Sequence, residues 1–114
     1  MVVDQRKLTD DEVDRIFRAL ADATRRDIVR RTLVAEATVS TLAQDYAMSF
    51  AAVQKHVAVL ERAGLVTKEP QGRERLVRGN PAAIQRAQAL LDSYEQLWRE
   101  RISRLDALLA DDDH

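Results

Sequence analysis

Three side chains able to do chemistry stand in a row near the middle of the chain, Gln54, Lys55 and His56, inside the stretch SFAAVQKHVAVLERAGLV at 49–66. A histidine can ligate a metal or move a proton near neutral pH, but both roles need partner groups. The sequence offers no Ser–His–carboxylate or paired-carboxylate pattern and no glycine-rich phosphate loop for it to work with. Ser49, the nearest hydroxyl, stands where a helix needs its first amides capped, which takes it out of consideration as a nucleophile. There is no cysteine, so disulfides, thiolate metal sites and cysteine nucleophiles are excluded. These residues read as a non-enzyme with no metal and no cofactor. His56 reads as a half-buried histidine bonding to backbone or phosphate. Gln54 and Lys55 suit another chemistry. A glutamine amide matches the hydrogen-bonding edge of adenine, and a lysine ammonium matches guanine or a phosphate.

A helix over 50–63 would position them. At about 100° per residue, Val53, Val57 and Leu60 form a narrow apolar stripe flanked by Phe50. Ala51, Lys55, Ala58 and Arg62 lie opposite, with Gln54 beside them, and Val59 falls off the stripe toward a second contact. Gly64 ends the helix. Upstream, Val13, Ile16, Phe17 and Leu20 recur at helical spacing between Thr9 and Ala21, with Thr9 and Glu12 as a capping box. Asp22 caps a second helix that turns Ile28, Val29 and Leu33 inward. Thr38 caps a shorter third, with Val39, Leu42, Ala43 and Tyr46. Downstream, LVTKE and RERLVR alternate as strands do, and PQG between them supplies a turn. Asn80 and Pro81 start a last helix that runs to Leu109. Its first part belongs to the core near Ile84 and Leu91. Leu91, Tyr94, Trp98, Ile102, Leu105 and Leu109 then continue at intervals of three or four, in a stripe longer than a small domain needs.

The fold is expected to be mainly α with a small β-hairpin, in the order α-α-α-α-β-β-α. The third and fourth helices make a helix-turn-helix, and the hairpin after them makes it a winged one. With 114 residues, 46% hydrophobic and 32% charged, the chain reads as one globular domain. Residues 1–8 are expected to be loose, 81–109 to form a dimerisation helix, and 110–114 an acidic tail. No signal peptide and no apolar run of membrane-spanning length appear, which points to the cytoplasm and away from membranes. The formal net charge is −1. It is unevenly spread: residues 48–80 carry six basic and three acidic side chains, whereas 92–114 carry three and seven. A protein acidic on average can thus present a basic surface.

In a winged helix-turn-helix the second helix of the motif enters the major groove of duplex DNA. On that reading Ser49, Phe50, Ala51, Gln54 and Lys55 meet the groove. Lys68, Arg73 and Arg75 on the hairpin reach phosphates or the minor groove. Arg25 and Arg26, in TRRD, are divided between phosphate contact and surface ion pairing. Val13, Phe17, Tyr94, Trp98, Ile102, Leu105 and Leu109 are the candidate dimer interface, which would set two recognition helices about one duplex turn apart.

The stretches IFRALADATRRDIVRRTL, TVSTLAQDYAMSFAAVQKHVAVLERAGLV and GRERLVRGNPAAI also resemble the ArsR/SmtB family of bacterial winged-helix repressors over nearly the whole chain. The step from His56 through Leu60 to Ala-Gly-Leu-Val is the most specific of these likenesses. The resemblance implies a homodimer that binds an inverted-repeat operator and blocks transcription. Metal-sensing members carry two cysteines where Thr38 and Ser40 stand, and the last helix has no histidine before His114. The segment LLDSYEQLWRERISRLDALL is similar to a subgroup without a known metal. Two further readings stay open at this point: a winged helix used for protein–protein contact, and a sensor with a ligand of unknown kind at the dimer interface.

Overall fold

The computed structural model describes residues 7–111, which excludes most of the segment expected to be loose and residues 112–114 of the expected tail. Leu8, counted with the loose segment, is half-buried against the core instead.

Helix α1, Asp10–Leu20, begins at the expected capping box. The Thr9 hydroxyl accepts from the Glu12 amide at 3.2 Å while the Glu12 carboxylate accepts from the Thr9 amide at 3.0 Å. Helix α2, Ala23–Val34, is capped by Asp22, which accepts from the Arg25 amide at 3.0 Å. That amide hydrogen bond holds the Asp22 carboxyl below its ordinary range. Inside α2 the sequence pattern misplaces one residue. Leu33 is partly exposed, and Thr32 takes the core position. The Thr32 hydroxyl donates to the Ile28 carbonyl at 2.7 Å, so its burial strands no polar group.

A two-residue strand, β1 (Ala37–Thr38), precedes α3 (Val39–Asp45), and a four-residue turn leads to α4 (Phe50–Arg62). Strands β2 (Val66–Gln71) and β3 (Glu74–Gly79) follow, then α5 (Pro81–Asp111). The expected hairpin is therefore part of a three-stranded antiparallel sheet in the order β1-β3-β2, with Ala37 opposite Val77 and Thr38 opposite Leu76. Two residues are too few to show strand periodicity, so β1 had no sequence signal. The hairpin turn is also one step later than PQG. Gln71 pairs with Glu74, which leaves Gly72 and Arg73 as the turn. Gly72 has φ +61 and Arg73 does not share the positive sign, as in a type II′ turn. Pro70 stays within β2 because β2 is an edge strand and needs no ladder amide there.

The core joins α1 through β3: Ile16, Ile28, Leu42, Val53, Val57, Leu60, Leu65 and Val77 are buried together. Gly64 closes α4 at φ +76, a left-handed cap that lets the Leu65 amide reach back to the Leu60 carbonyl at 3.0 Å. The sequence then drops straight into β2 with Leu65 and Val66 buried.

Helix α5 is different in kind. Asn80 caps it by accepting from the Ala82 amide at 3.2 Å, and its side-chain amide donates to the Gly64 carbonyl at 2.8 Å. Only Ala83 and Ala87 are buried along its 31 residues. Leu91, expected in the core, is exposed, as is every residue from there to Asp111. The helix also runs two residues past Leu109, so the first part of the expected tail is helical. It extends about 46 Å. The radius of gyration, 19.6 Å, compares with roughly 13 Å for a compact chain of this length.

Candidate nucleic-acid interface

Helix α4 is held by one face and bare on the other. Val53, Val57 and Leu60 are fully buried, and Val59 packs half-buried at the core's edge. The Ser49 hydroxyl accepts from the Ala52 amide at 3.1 Å, which fixes the start of the helix and occupies that oxygen. Phe50, Ala51, Gln54, Lys55 and Arg62 are exposed, while Ala52 and Ala58 are half-buried. The alanines keep this side slim enough for a groove about 12 Å wide.

The sheet carries further cations. Directly opposed residues share a sheet face, so Arg75 opposite Pro70 and Lys68 opposite Val77 lie on the face that packs toward the helices. Their fates differ. Lys68 is only 23% exposed and its Nζ lies 3.8 Å from Glu61 Oε1, so it braces β2 against α4. Arg75, and Arg73 at the turn, are exposed. Among the described residues, Lys55, Arg62, Arg73 and Arg75 enter no ion pair. Arg62, two turns beyond Lys55, joins this surface although it was not among the expected contacts; its place on the helical wheel was the available signal.

Arg25 and Arg26 are placed elsewhere. Arg25 donates through Nε to the Ala19 carbonyl at 2.7 Å and through Nη2 to the Arg18 carbonyl at 3.0 Å. Arg26 donates to the Leu20 carbonyl at 2.8 Å. Both guanidinium groups thus bond carbonyls in the last turn of α1. Among the described residues neither enters an ion pair, which differs from the expected surface ion pairing and leaves phosphate contact open. The third nitrogen of Arg25 lies 3.5 Å from His56 Nδ1. His56 is half-buried as expected, with a guanidinium for its neighbour rather than a backbone group.

The contacts at the end of α3 leave no trace in the sequence. Tyr46, read as an apolar residue of α3, donates its hydroxyl to Asp27 Oδ2 at 2.5 Å. Arg31 stacks over the Tyr46 ring at 5.3 Å and pairs with Asp45 at 2.7 Å. The Tyr46 hydroxyl, followed by Arg30, holds the Asp27 carboxyl below its ordinary range, and burial followed by Asp27 pushes the Tyr46 phenol up. Contacts 14 and 19 residues apart between two helices leave no periodic trace. They tie α2 to the end of α3, where the turn into α4 begins. At the turn itself Ala47 holds φ 53, a left-handed conformation that costs a non-glycine residue about 1–2 kcal/mol.

The candidate dimer residues fall on two helices. Val13 is half-buried and Phe17 partly exposed on α1, while Tyr94, Trp98, Ile102, Leu105 and Leu109 form one exposed stripe on α5. Arg86 Nη1 lies 3.9 Å from Glu12 Oε2, linking the base of α5 to α1. Arg101 stacks on Trp98 at 5.7 Å. Among the described residues no group of three or more His, Asp or Glu could hold a metal ion, and no helix is long and apolar enough to cross a membrane.

No family model matches the chain. It is 38% identical over 90 residues to the HTH-type transcriptional regulator Rv2034 of Mycobacterium tuberculosis, covering 79% of this chain and 81% of that one. It is similar to the crystal structure of an ArsR family transcriptional regulator, RHA00566, at a TM-score of 0.75 and 32% identity, over 82% of this chain and 97% of that one. The fold is also that of the homodimeric winged helix-turn-helix DNA-binding domain of Mb0332 from Mycobacterium bovis, at a TM-score of 0.60 and 24% identity, over 79% and 91% of the two chains. These are regulators, not enzymes. The sequence motifs, the winged helix and these likenesses agree: the chain belongs to the ArsR family of winged helix-turn-helix transcriptional regulators.

Proposed function

We propose that this regulator is a homodimeric, cytoplasmic repressor that binds an inverted-repeat operator on double-stranded DNA through α4 and the hairpin. The observation that carries the reading is the pairing of a slim, polar, unpartnered face on α4 with unpaired cations at Lys55, Arg62, Arg73 and Arg75. Ser49, Phe50, Ala51, Gln54 and Lys55 face the major groove, and Arg73 and Arg75 take neighbouring phosphates. Lys68 acts through its brace on α4. Arg25 and Arg26 act through the end of α1. The dimer forms along the α5 stripe with Phe17 and Val13 at its edge, an assembly that also fits the homodimeric state of the Mb0332 domain. Two α4 helices related by a twofold axis match two half-sites about 34 Å apart.

Selection of bound sites from random duplex DNA tests this directly. The proposal expects an inverted repeat, and recovery of no site, or of an unrepeated one, contradicts it. A second readout is the salt dependence of operator binding. Each phosphate contact contributes roughly 0.9 to the logarithmic slope, so Lys55→Ala with Arg73→Ala should flatten it by several units across the dimer.

A further inference from the structure

Among the described residues the exposed large apolar side chains fall on α5, on α1, at the end of α2, and at one place on α4. That place is Phe50, the first residue of the helix, 49% exposed between exposed Ser49 and Ala51. Its backbone position is fixed by the Ser49 cap. Gln54 stands four residues on, also exposed, so the ring and the amide sit on neighbouring turns of one face, with Cβ atoms about 5–6 Å apart. A phenyl ring left half in water next to an amide, in the N-terminal half of α4, offers an apolar contact beside a hydrogen-bonding one. The major groove displays one apolar group, the 5-methyl of thymine, beside the adenine edge that glutamine matches.

We infer that Phe50 is a specificity-determining residue that packs on a thymine 5-methyl group, adjacent to an adenine read by Gln54. Each half-site then carries an A·T-containing step under the start of α4. The inference rests on the operator-binding reading above and deepens it. Cations alone fix register on the phosphates, and Phe50 with Gln54 supplies the discrimination between bases.

The test replaces each thymidine of the selected operator in turn by deoxyuridine, which removes the methyl group and leaves base pairing intact. Binding of the full chain is followed by fluorescence anisotropy at one fixed salt concentration. Wild type should weaken by about fourfold per half-site at one thymidine position, the loss expected for one buried carbon. Phe50→Ala should bind thymidine and deoxyuridine operators alike at that position. Gln54→Ala should keep the methyl preference and lose its preference for the adjacent adenine. Circular dichroism and the thermal midpoint report whether each variant folds; if Phe50→Ala does not, Phe50→Gln takes its place as a polar residue suited to an exposed helix start. Wild-type indifference to every deoxyuridine overturns the inference while leaving operator binding intact. So does a Phe50 variant that remains as methyl-sensitive as wild type. Failure to select any operator instead overturns the functional reading beneath it.

Discussion

Helices α4 and α5 are both amphipathic, and the molecule disposes of their faces in opposite ways. On α4 the apolar face, Val53, Val57 and Leu60, is completely covered by α1, α2, α3 and β2, and the polar face is left open. On α5 beyond Ala87 it is the apolar face that is open: Trp98 is 57% and Tyr94 59% exposed, with leucines and an isoleucine continuing the stripe to Leu109. An open polar face costs nothing in water. An open apolar one forgoes about 1.5–3 kcal/mol for each large side chain that could be buried. One helix has therefore been satisfied by its own chain and displays a surface suited to a polar ligand. The other leaves an apolar stripe uncovered, and on the proposed reading the same stripe on another copy would cover it with twofold symmetry.

Perturbing each helix on its buried or bare side should separate these two logics. The largest effect belongs to the covered face of α4. Leu60→Ala should destabilise the fold by about 2–5 kcal/mol in urea or thermal denaturation, since a fully buried leucine leaves a cavity when truncated. Trp98→Ala should instead weaken dimerisation by about 2 kcal/mol, roughly 30-fold, in sedimentation equilibrium. A structural role confined to one chain would leave sedimentation unmoved. Ala47→Gly should raise stability by about 0.5–1 kcal/mol, because glycine takes φ 53 without the steric penalty and gives back part of that gain as unfolded-state entropy.

The smallest effect concerns pH. The folded-state Asp27 carboxyl is held below its ordinary value of 3.8, first by the Tyr46 hydroxyl and then by Arg30. A depressed carboxyl contributes stability that is complete above the unfolded value and is lost as pH falls through the lower folded value. The difference in thermal midpoint between wild type and Tyr46→Phe should accordingly be largest near neutrality and narrow as pH falls below 3.8. A gap of constant size down to pH 2 would show that the hydroxyl acts by packing alone.

What could be read from the sequence was what is encoded locally. Thr9 with Glu12, Asp22, Thr38, Ser49 and Asn80 before Pro81 each announce a helix start through a side chain and an amide two or three residues apart. The apolar periods of α4 and α5 were equally legible, because a stripe repeats over many turns. Contacts across the fold were not. Strand β1 owes its existence to Val77 and Leu76 on β3, and Arg25 owes its role to the carbonyls left over at the end of α1. Lys68 looked like its neighbours Arg73 and Arg75 until the register set it beside Glu61. Thr32 replaced Leu33 in the core through a hydrogen bond to its own helix, which hydrophobic pattern alone ranks against. At the site itself, the open face of α4 followed from the helical wheel, whereas the Asp27–Tyr46–Arg31 contacts between α2 and the end of α3 required the packed structure.

On the proposed reading the bare face of α5 makes the bare face of α4 useful, by presenting two copies of it to one duplex. The most direct test is to titrate the selected operator, and a duplex carrying only one half-site, with wild type and Trp98→Ala while counting protomers bound by sedimentation. Two wild-type protomers should load together on the full operator, with the half-site bound more weakly by roughly 100-fold or more and Trp98→Ala reduced toward half-site affinity. A single protomer that binds a half-site as tightly as the full operator would contradict the account.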